Sequence, residues 1–295
     1  MSTRKTRSFV AGSITLLAAS LCWTAPAEAL GASVGANACV TATMFTHVVT
    51  EGNITAHYTV IDHPSTNGNP YAHLIVTPNW TPGGGPLVPN YHPVGVWYND
   101  ETGRWNVYNN DAASMSPGTA FNVRVGDGWA VQSPPGSGYI GFGFSYAPSG
   151  ATFLVTQSYN PGGEVPGGNN WSPLAVWHFN SVWYLTHSTT DPFVEPVWFN
   201  VVDEPCAFVH DTTPLNVFGA YTLIDDPIAN GNPDAMVIVT RRMGKQMITT
   251  PRGPGHLVVH YDANEERWAI RGWDHGGDSM PVDRSLNVLV QALAP

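Results

Sequence analysis

Lysine is almost missing from this chain: Lys5 and Lys245 are the whole supply. Charge of either sign is scarce, at 12% of residues, and acidic side chains outnumber basic ones 22 to 12. So few cations create no field that would draw nucleic acid or an anionic membrane, and neither is expected as a partner. After the first thirty residues there is no apolar run of about 20 residues, so no membrane insertion by a helix is expected. Nor does any later stretch hold a 3.6-residue apolar period over three turns, which argues against a helical bundle. Cysteine is limited to Cys22, Cys39 and Cys206, with no Cys-x-x-Cys pair and no His-Glu-x-x-His, so the sharper zinc signatures are absent.

The apolar run that does exist lies at the start. Arg4, Lys5 and Arg7 precede the uncharged stretch Phe9–Leu21, and Ala27 and Ala29 supply the small residues that signal peptidase requires. Residues 1–29 therefore read as an export signal cut after Ala29, and a secreted, extracellular location is expected. Cys22 follows Leu21 rather than a small residue, which disfavours lipid attachment. Removal of the signal leaves nine basic against 21 acidic residues, a net charge of −12. Of the cysteines, Cys39 and Cys206 remain, and in an oxidising compartment they are expected to form a disulfide. The sequons at Asn53, Asn79 and Asn170 are read as chance, because the signal has a bacterial look.

What is abundant points to strands. Gly and Pro together number 55 of 295 residues, beside plentiful Val, Thr and aromatics. Such a composition suits short strands punctuated by turns. The first and last thirds of the chain are copies. His47–Asn53 corresponds to His210–Asn216, Tyr58–Pro64 to Tyr221–Pro227, and Asn67–Pro70 to Asn230–Pro233. Val76-Thr77 matches Val239-Thr240, and Arg104-Trp105 matches Arg267-Trp268. A diverged middle copy repeats Val76-Thr77 as Val155-Thr156, Pro82–Gly84 as Pro161–Gly163, and Phe121–Val123 as Phe199–Val201. It lacks the Asn-Gly-Asn-Pro turn. The expected fold is all-β, with three tandem related units of about 80 residues at 40–125, 126–203 and 206–291, built as small sandwiches or as one pseudo-threefold barrel. Copy one should hold six strands, near Thr46–Thr50, Thr55–Ile61, His73–Pro78, Pro93–Tyr98, Trp105–Asn109 and Ala120–Val125, with a hairpin over Asn99–Gly103.

Taken together, His47, Asn53, Asp62–Pro64, Asn67–Pro70, Val76–Trp80, Gly95–Tyr98, Arg104-Trp105, Asp111, Met115 and Phe121–Val123 form a string that resembles a repeat domain of unknown function found in secreted bacterial proteins. Copy three departs from it at Asp226, at Arg241-Arg242 and at Leu286. The resemblance implies export and repetition and brings no activity with it.

Motifs with a chemical reading are few. Gly136–Gly141 has G-x-G-x-x-G spacing, but a dinucleotide site needs a strand before it and a helix after it, and Phe142–Phe144 continues as strand or turn. Gly143–Ala147 resembles a nucleophile elbow without the helix that defines one. Asp62 and His63 with Asn67 and Asn69 form the best polar cluster; it suits a rigid turn, and it also offers oxygen ligands compatible with calcium. Trp105, Trp183 and Trp268 occupy one equivalent strand start and are expected in the core. Trp80 and Tyr159 each precede a Pro-Gly-Gly loop, where a ring beside a flexible segment makes a sugar-stacking platform.

The functional expectation is a secreted, non-catalytic binding protein. It recognises an extracellular glycan or cell-surface polymer through Trp80, Tyr159, Asp62, His63, Asn67 and Asn69, with no cofactor unless calcium. Three equivalent weak sites would gain avidity, whereas an enzyme needs one asymmetric site. The alternatives are an extracellular polysaccharide hydrolase and a structural cell-surface or matrix protein.

Overall fold

The computed structural model describes residues 42–142, 147–187, 192–193, 195–244, 255–274, 277–278 and 280–292. The expected export signal, Cys39 and residues 143–146 of the elbow-like Gly143–Ala147 lie outside the described residues. Repeat one contributes β1 (Thr43–Val48), β2 (Ile54–Thr55), β3 (Tyr58–Val60), β4 (His73–Asn79), β5 (Val94–Asn99), β6 (Arg104–Asn109) and β7 (Ala120–Gly126). Repeat two contributes β8 (Trp129–Gln132), β9 (Tyr139–Gly141), β10 (Phe153–Ser158), β11 (Leu174–Phe179), β12 (Val182–His187) and β13 (Trp198–Asp203). Repeat three contributes β14 (Phe208–Asp211), β15 (Val217–Phe218), β16 (Tyr221–Leu223), β17 (Met236–Met243), β18 (His256–Asp262), β19 (Arg267–Asp274), β20 (Gly277–Asp278) and β21 (Ser285–Gln291). The described chain is all-β apart from two short 3-10 turns.

Two strand expectations shift. The first strand of repeat one starts three residues earlier than the sequence suggested. The expected Thr55–Ile61 strand is a tight hairpin of β2 and β3, because Ala56 takes a positive φ of 50° between them.

No repeat keeps a sheet to itself. Repeat one sends β1-β7-β4 into one sheet, which continues as β18-β19-β16-β15 of repeat three. Its other half, β2-β3-β6-β5, continues as β10-β13-β8 of repeat two. The third sheet joins β14-β21-β17 of repeat three to β11-β12-β9 of repeat two. The three joins are the only parallel pairings among the described strands: β4 with β18, β5 with β10, and β11 with β17. The repeats are therefore related cyclically. Each is a small sandwich, the first of the two expected forms, but its two sheets are shared with its neighbours.

Each sandwich has its own core around a fully buried tryptophan: Trp105 with Ile61 and Phe121, Trp183 with Phe153 and Phe199, Trp268 with Ile224 and Leu286. The indole N–H of Trp105 donates to the Asn69 carbonyl at 2.8 Å, and that of Trp268 to the Asn232 carbonyl at 2.9 Å, so the Asn-Gly-Asn-Pro turn caps the core tryptophan of its own repeat. A fourth cluster draws on all three copies, with Ile75, Leu154 and Ile238 at equivalent positions.

Two rings of hydrogen bonds close around that cluster. The N–H groups of Val76, Val155 and Val239 donate to the hydroxyls of Thr156, Thr240 and Thr77, at 2.9, 3.0 and 3.0 Å. The amides of Asn122, Asn200 and Asn287 donate to the carbonyls of Val237, Leu74 and Phe153, at 3.0, 3.1 and 2.8 Å. The repeated Val-Thr and Phe-Asn-Val strings are thus the locks between repeats. Buried donors must be satisfied, and each of these six N–H donors is satisfied by a neighbouring copy.

Candidate ligand-binding site

The residues singled out in the sequence fall in different places. Trp80, expected at the surface, is buried, with 1% of its area exposed. It packs with Val258 and Trp273 at the join between repeats one and three. The Arg271 guanidinium lies 5.5 Å from its ring centre, and Tyr91 meets it edge-on at 4.9 Å. The reason is the strand join: the Trp80 N–H donates to the Val259 carbonyl, which holds the residue against the neighbouring sheet.

The loops after Trp80 and Tyr159 are docked rather than flexible. Pro82–Gly84 and Pro161–Gly163 are 3-10 turns with glycines at positive φ. The first lies on the Asn-Gly-Asn-Pro turn of repeat three: a Cβ on Gly84 would come within 2.8 Å of Pro233. The second lies on the same turn of repeat one, with the Gly162 N–H donating to the Pro70 carbonyl at 3.1 Å. Each Pro-Gly-Gly turn therefore seats on a neighbour's Asn-Gly-Asn-Pro turn. Repeat two lacks the seat, and at the equivalent point of repeat three Arg241-Arg242-Met243-Gly244 replaces the Pro-Gly-Gly approach. Arg242 fills that join instead, reaching the carbonyls of Ser149 and Ala151 and lying 4.9 Å over Trp183.

The Asp62 cluster is bonded to itself. Asn67 donates to the Asp62 carboxylate at 2.8 Å and accepts from the His63 N–H; Arg104 stands 3.4 Å from the same carboxylate. The His63 ring stacks on Phe45 at 3.9 Å, and burial lowers its pKa. Asn69 accepts from the Tyr71 N–H. Repeat three rebuilds the arrangement with Asn230 donating to Asp225 at 2.8 Å. Among the described residues no three His, Cys, Asp or Glu side chains converge as a metal site would require.

Tyr159 stands apart from these, because it lines an open cleft of about 370 Å³ with His57, Tyr58, Trp97, Tyr108 and Asn169. The cleft lies on the sheet shared by repeats one and two. Trp97 and Tyr108 point away from the core of repeat one because Val96 and Val107, their chain neighbours, point into it. Tyr58 and Trp97 meet edge-on at 5.5 Å, and Tyr108 and Tyr159 at 6.4 Å. Tyr108 forms the floor by lying across Gly95: any Cβ there would come within 2.8 Å of its ring. Its hydroxyl accepts from Gln157 at 3.3 Å, and burial pushes its pKa well above the phenol range, so it stays neutral. The other repeats do not repeat this floor, having Ala175 and Val258 where repeat one has Gly95. His57, Tyr58, Trp97, Tyr108 and Gly95 escaped the sequence reading. The one signal for them was the alternation of Gly95–Tyr98, in which Trp97 takes the outward phase.

A family model described as Domain of unknown function (DUF7452) matches residues 34–125 and 202–290, more than half of the chain. The chain belongs to this family. The two matches are repeats one and three. The middle repeat lies outside both, yet its strands pair in the same order as those of its neighbours. No curated protein and no solved structure matches the chain. Membership in DUF7452 therefore fixes ancestry and carries no chemistry of its own.

Proposed function

We propose that this DUF7452 protein is a secreted, non-catalytic binding protein, and that its ligand is an extracellular carbohydrate held in the cleft of Tyr58, Trp97, Tyr108 and Tyr159. The observation that carries the reading is the makeup of that cleft. Rings set at steep angles offer both faces and edges to a ligand, and a sugar presents C–H patches to such surfaces while its hydroxyls reach amides such as Asn169 at the rim. No cationic guanidinium or ammonium lines the cleft, so a neutral glycan is favoured over an acidic one. Export also suits a bridge from Cys39 to Cys206, which would close a long loop; Cys206 packs half-buried against the central cluster.

The test is a glycan array with the secreted protein, run with and without calcium. Trp97→Ala should weaken binding of the best glycan by about thirtyfold, the loss of a stacking ring worth roughly 2 kcal/mol, with an unchanged melting temperature. Trp80→Ala should instead lower the melting temperature as Trp105→Ala does, by the roughly 3–5 kcal/mol of an emptied core site. If no glycan binds, or if Trp97→Ala binds as the parent does, the cleft is not a sugar site.

A further inference from the structure

We infer that the sugar site does not end at the Tyr159 cleft. Trp171, on its rim, is a second stacking platform, and the ligand is a chain whose one ring fills the cleft while the next lies on this indole. The inference rests on the cleft being a sugar site, and adds the length of what it binds.

Two equivalent joins show how Trp171 comes to stand there. Tyr91-His92-Pro93 before β5 corresponds to Trp171-Ser172-Pro173 before β11. At the join of repeats one and three, Tyr91 rests on two indoles, meeting Trp80 at 4.9 Å and Trp273 at 5.9 Å. Arg271 lies over Trp80 and fills the remaining side. At the join of repeats one and two the same three positions hold Tyr159 for Trp80, Asn110 for Trp273 and Tyr108 for Arg271. All three replacements line the cleft, which is therefore the room the two indoles vacate. Trp171 loses its aromatic bed by the same exchange. It is 65% exposed, and it is the only exposed tryptophan among the described residues.

This exposed ring is held in place. Its indole N–H donates to the Asn110 carbonyl at 3.0 Å. The Asn110 amide donates to Gln157 Oε1 at 3.0 Å and to the Asn170 carbonyl at 3.1 Å. Gln157 Oε1 also accepts from the Asn170 N–H at 3.1 Å, and the Asn170 amide donates to the Ser172 carbonyl at 2.8 Å. Both neighbours of Trp171 in the chain are thus tied into a buried amide network, and Gln157 carries that network to the Tyr108 hydroxyl in the cleft floor. Asn169 and Asn110 line the cleft, which puts Trp171 at its edge. A ring fixed in advance loses little freedom when a ligand covers it.

The chemistry of the occupant follows from what the indole has left to offer. Its single N–H is spent on Asn110, so it recognises by apolar surface alone. The C–H face of a further sugar ring matches such a surface. Joined to a ring already in the cleft, that second ring binds intramolecularly, so a platform too weak to bind alone still adds affinity.

The experiment titrates the full-length secreted protein with β-1,4-linked oligosaccharides of glucose, xylose, mannose and N-acetylglucosamine, each from one to six rings. Calorimetry follows the chains and ligand-observed NMR the single sugars. In a series that binds, affinity should rise about tenfold or more from one ring to three. Trp171→Ala should abolish the rise and leave single-ring affinity within about twofold of the parent. Trp171→Tyr, which installs the residue repeat one has in Tyr91, should stay within about threefold of the parent for the trimer. Trp97→Ala should weaken short and long chains alike. Affinity that ignores chain length, or a Trp171→Ala variant that keeps the parent's length dependence, overturns the second platform and leaves the cleft reading standing. So does a loss with Trp171→Tyr as large as with Trp171→Ala, because a ring face would not be what binds. Loss of single-ring binding in Trp171→Ala also overturns it, since the indole would then belong to the cleft itself. If no series binds, the cleft reading fails and the platform fails with it.

Discussion

At the scale of single residues, the histidines behave as structural parts that acid can unlock. His47 is buried and hydrogen-bonded to Thr59 at 2.8 Å; Thr59 in turn donates to Asn53, so His47 Nε2 carries the donated proton. His210 repeats the bond to Thr222 at 2.8 Å. Burial lowers the pKa of His47 to about 4, and lowers that of His210 against the opposing pull of Asp211. Between pH 6.5 and 4 the unfolded chain binds a proton that the folded chain refuses, so the stabilisation is complete above pH 6.5 and is lost as pH falls. For His47 the loss at pH 4.5 is of the order of 2–3 kcal/mol. Urea titrations at pH 7 and pH 4.5 should show the drop, and His47→Gln, which does not titrate, should show a smaller one. Equal drops in parent and variant would mean that other groups carry the acid sensitivity.

At the scale of elements, the turns explain what the sequence could and could not say. Repetition exposed the motifs, since Asn67–Pro70 recurs in the last copy and Pro82–Gly84 and Phe121–Val123 recur in the middle one. What each motif does was hidden, because its partner is in another copy. Read alone, Pro82–Gly84 looks like a flexible loop and Trp80 like a surface ring. Set against Pro233 and Val259 they become a docked turn and a core residue. The Tyr159 cleft was half legible for the same reason: Tyr159 comes from repeat two, while Tyr58, Trp97 and Tyr108 come from repeat one. A paired change separates docking from mere turn geometry. Gly84 and Gly231 both have φ near +67°, at 68° and 66°, but a Cβ on Gly231 meets nothing within 4 Å. Gly231→Ala should cost about 1 kcal/mol, for the backbone conformation alone. Gly84→Ala should cost 1–3 kcal/mol more, because the added methyl overpacks against Pro233. Equal losses in chemical denaturation would show that the turn does not press on its neighbour.

At the scale of the whole molecule, strand sharing decides how the protein comes apart. In a linear array each repeat touches its neighbours in sequence, and an end can fray by itself. Here the three copies close a cycle. Removing any one strips strands from two sheets, opens both remaining copies at a parallel join, and exposes Ile75, Leu154 and Ile238 in the shared cluster. No partial structure keeps its core, so unfolding should be a single transition despite three sandwich cores. Each core carries its own tryptophan reporter, Trp105, Trp183 or Trp268. With 5-fluorotryptophan in place of every tryptophan, Trp105→Phe, Trp183→Phe and Trp268→Phe each assign one core fluorine signal by its loss, and in the labelled parent all three signals should share one urea midpoint. Asn287→Ala supplies the sharper test. It removes the bond to the Phe153 carbonyl and leaves that buried acceptor unmet, at a cost of about 1–3 kcal/mol. The whole transition should move to lower urea with its slope preserved, including the signal of Trp105 in the repeat that Asn287 does not touch. A variant in which Trp268 reports early unfolding while Trp105 keeps the parent's midpoint would mean that the copies are stable separately, and that the cycle of shared sheets holds them together without making them one folding unit.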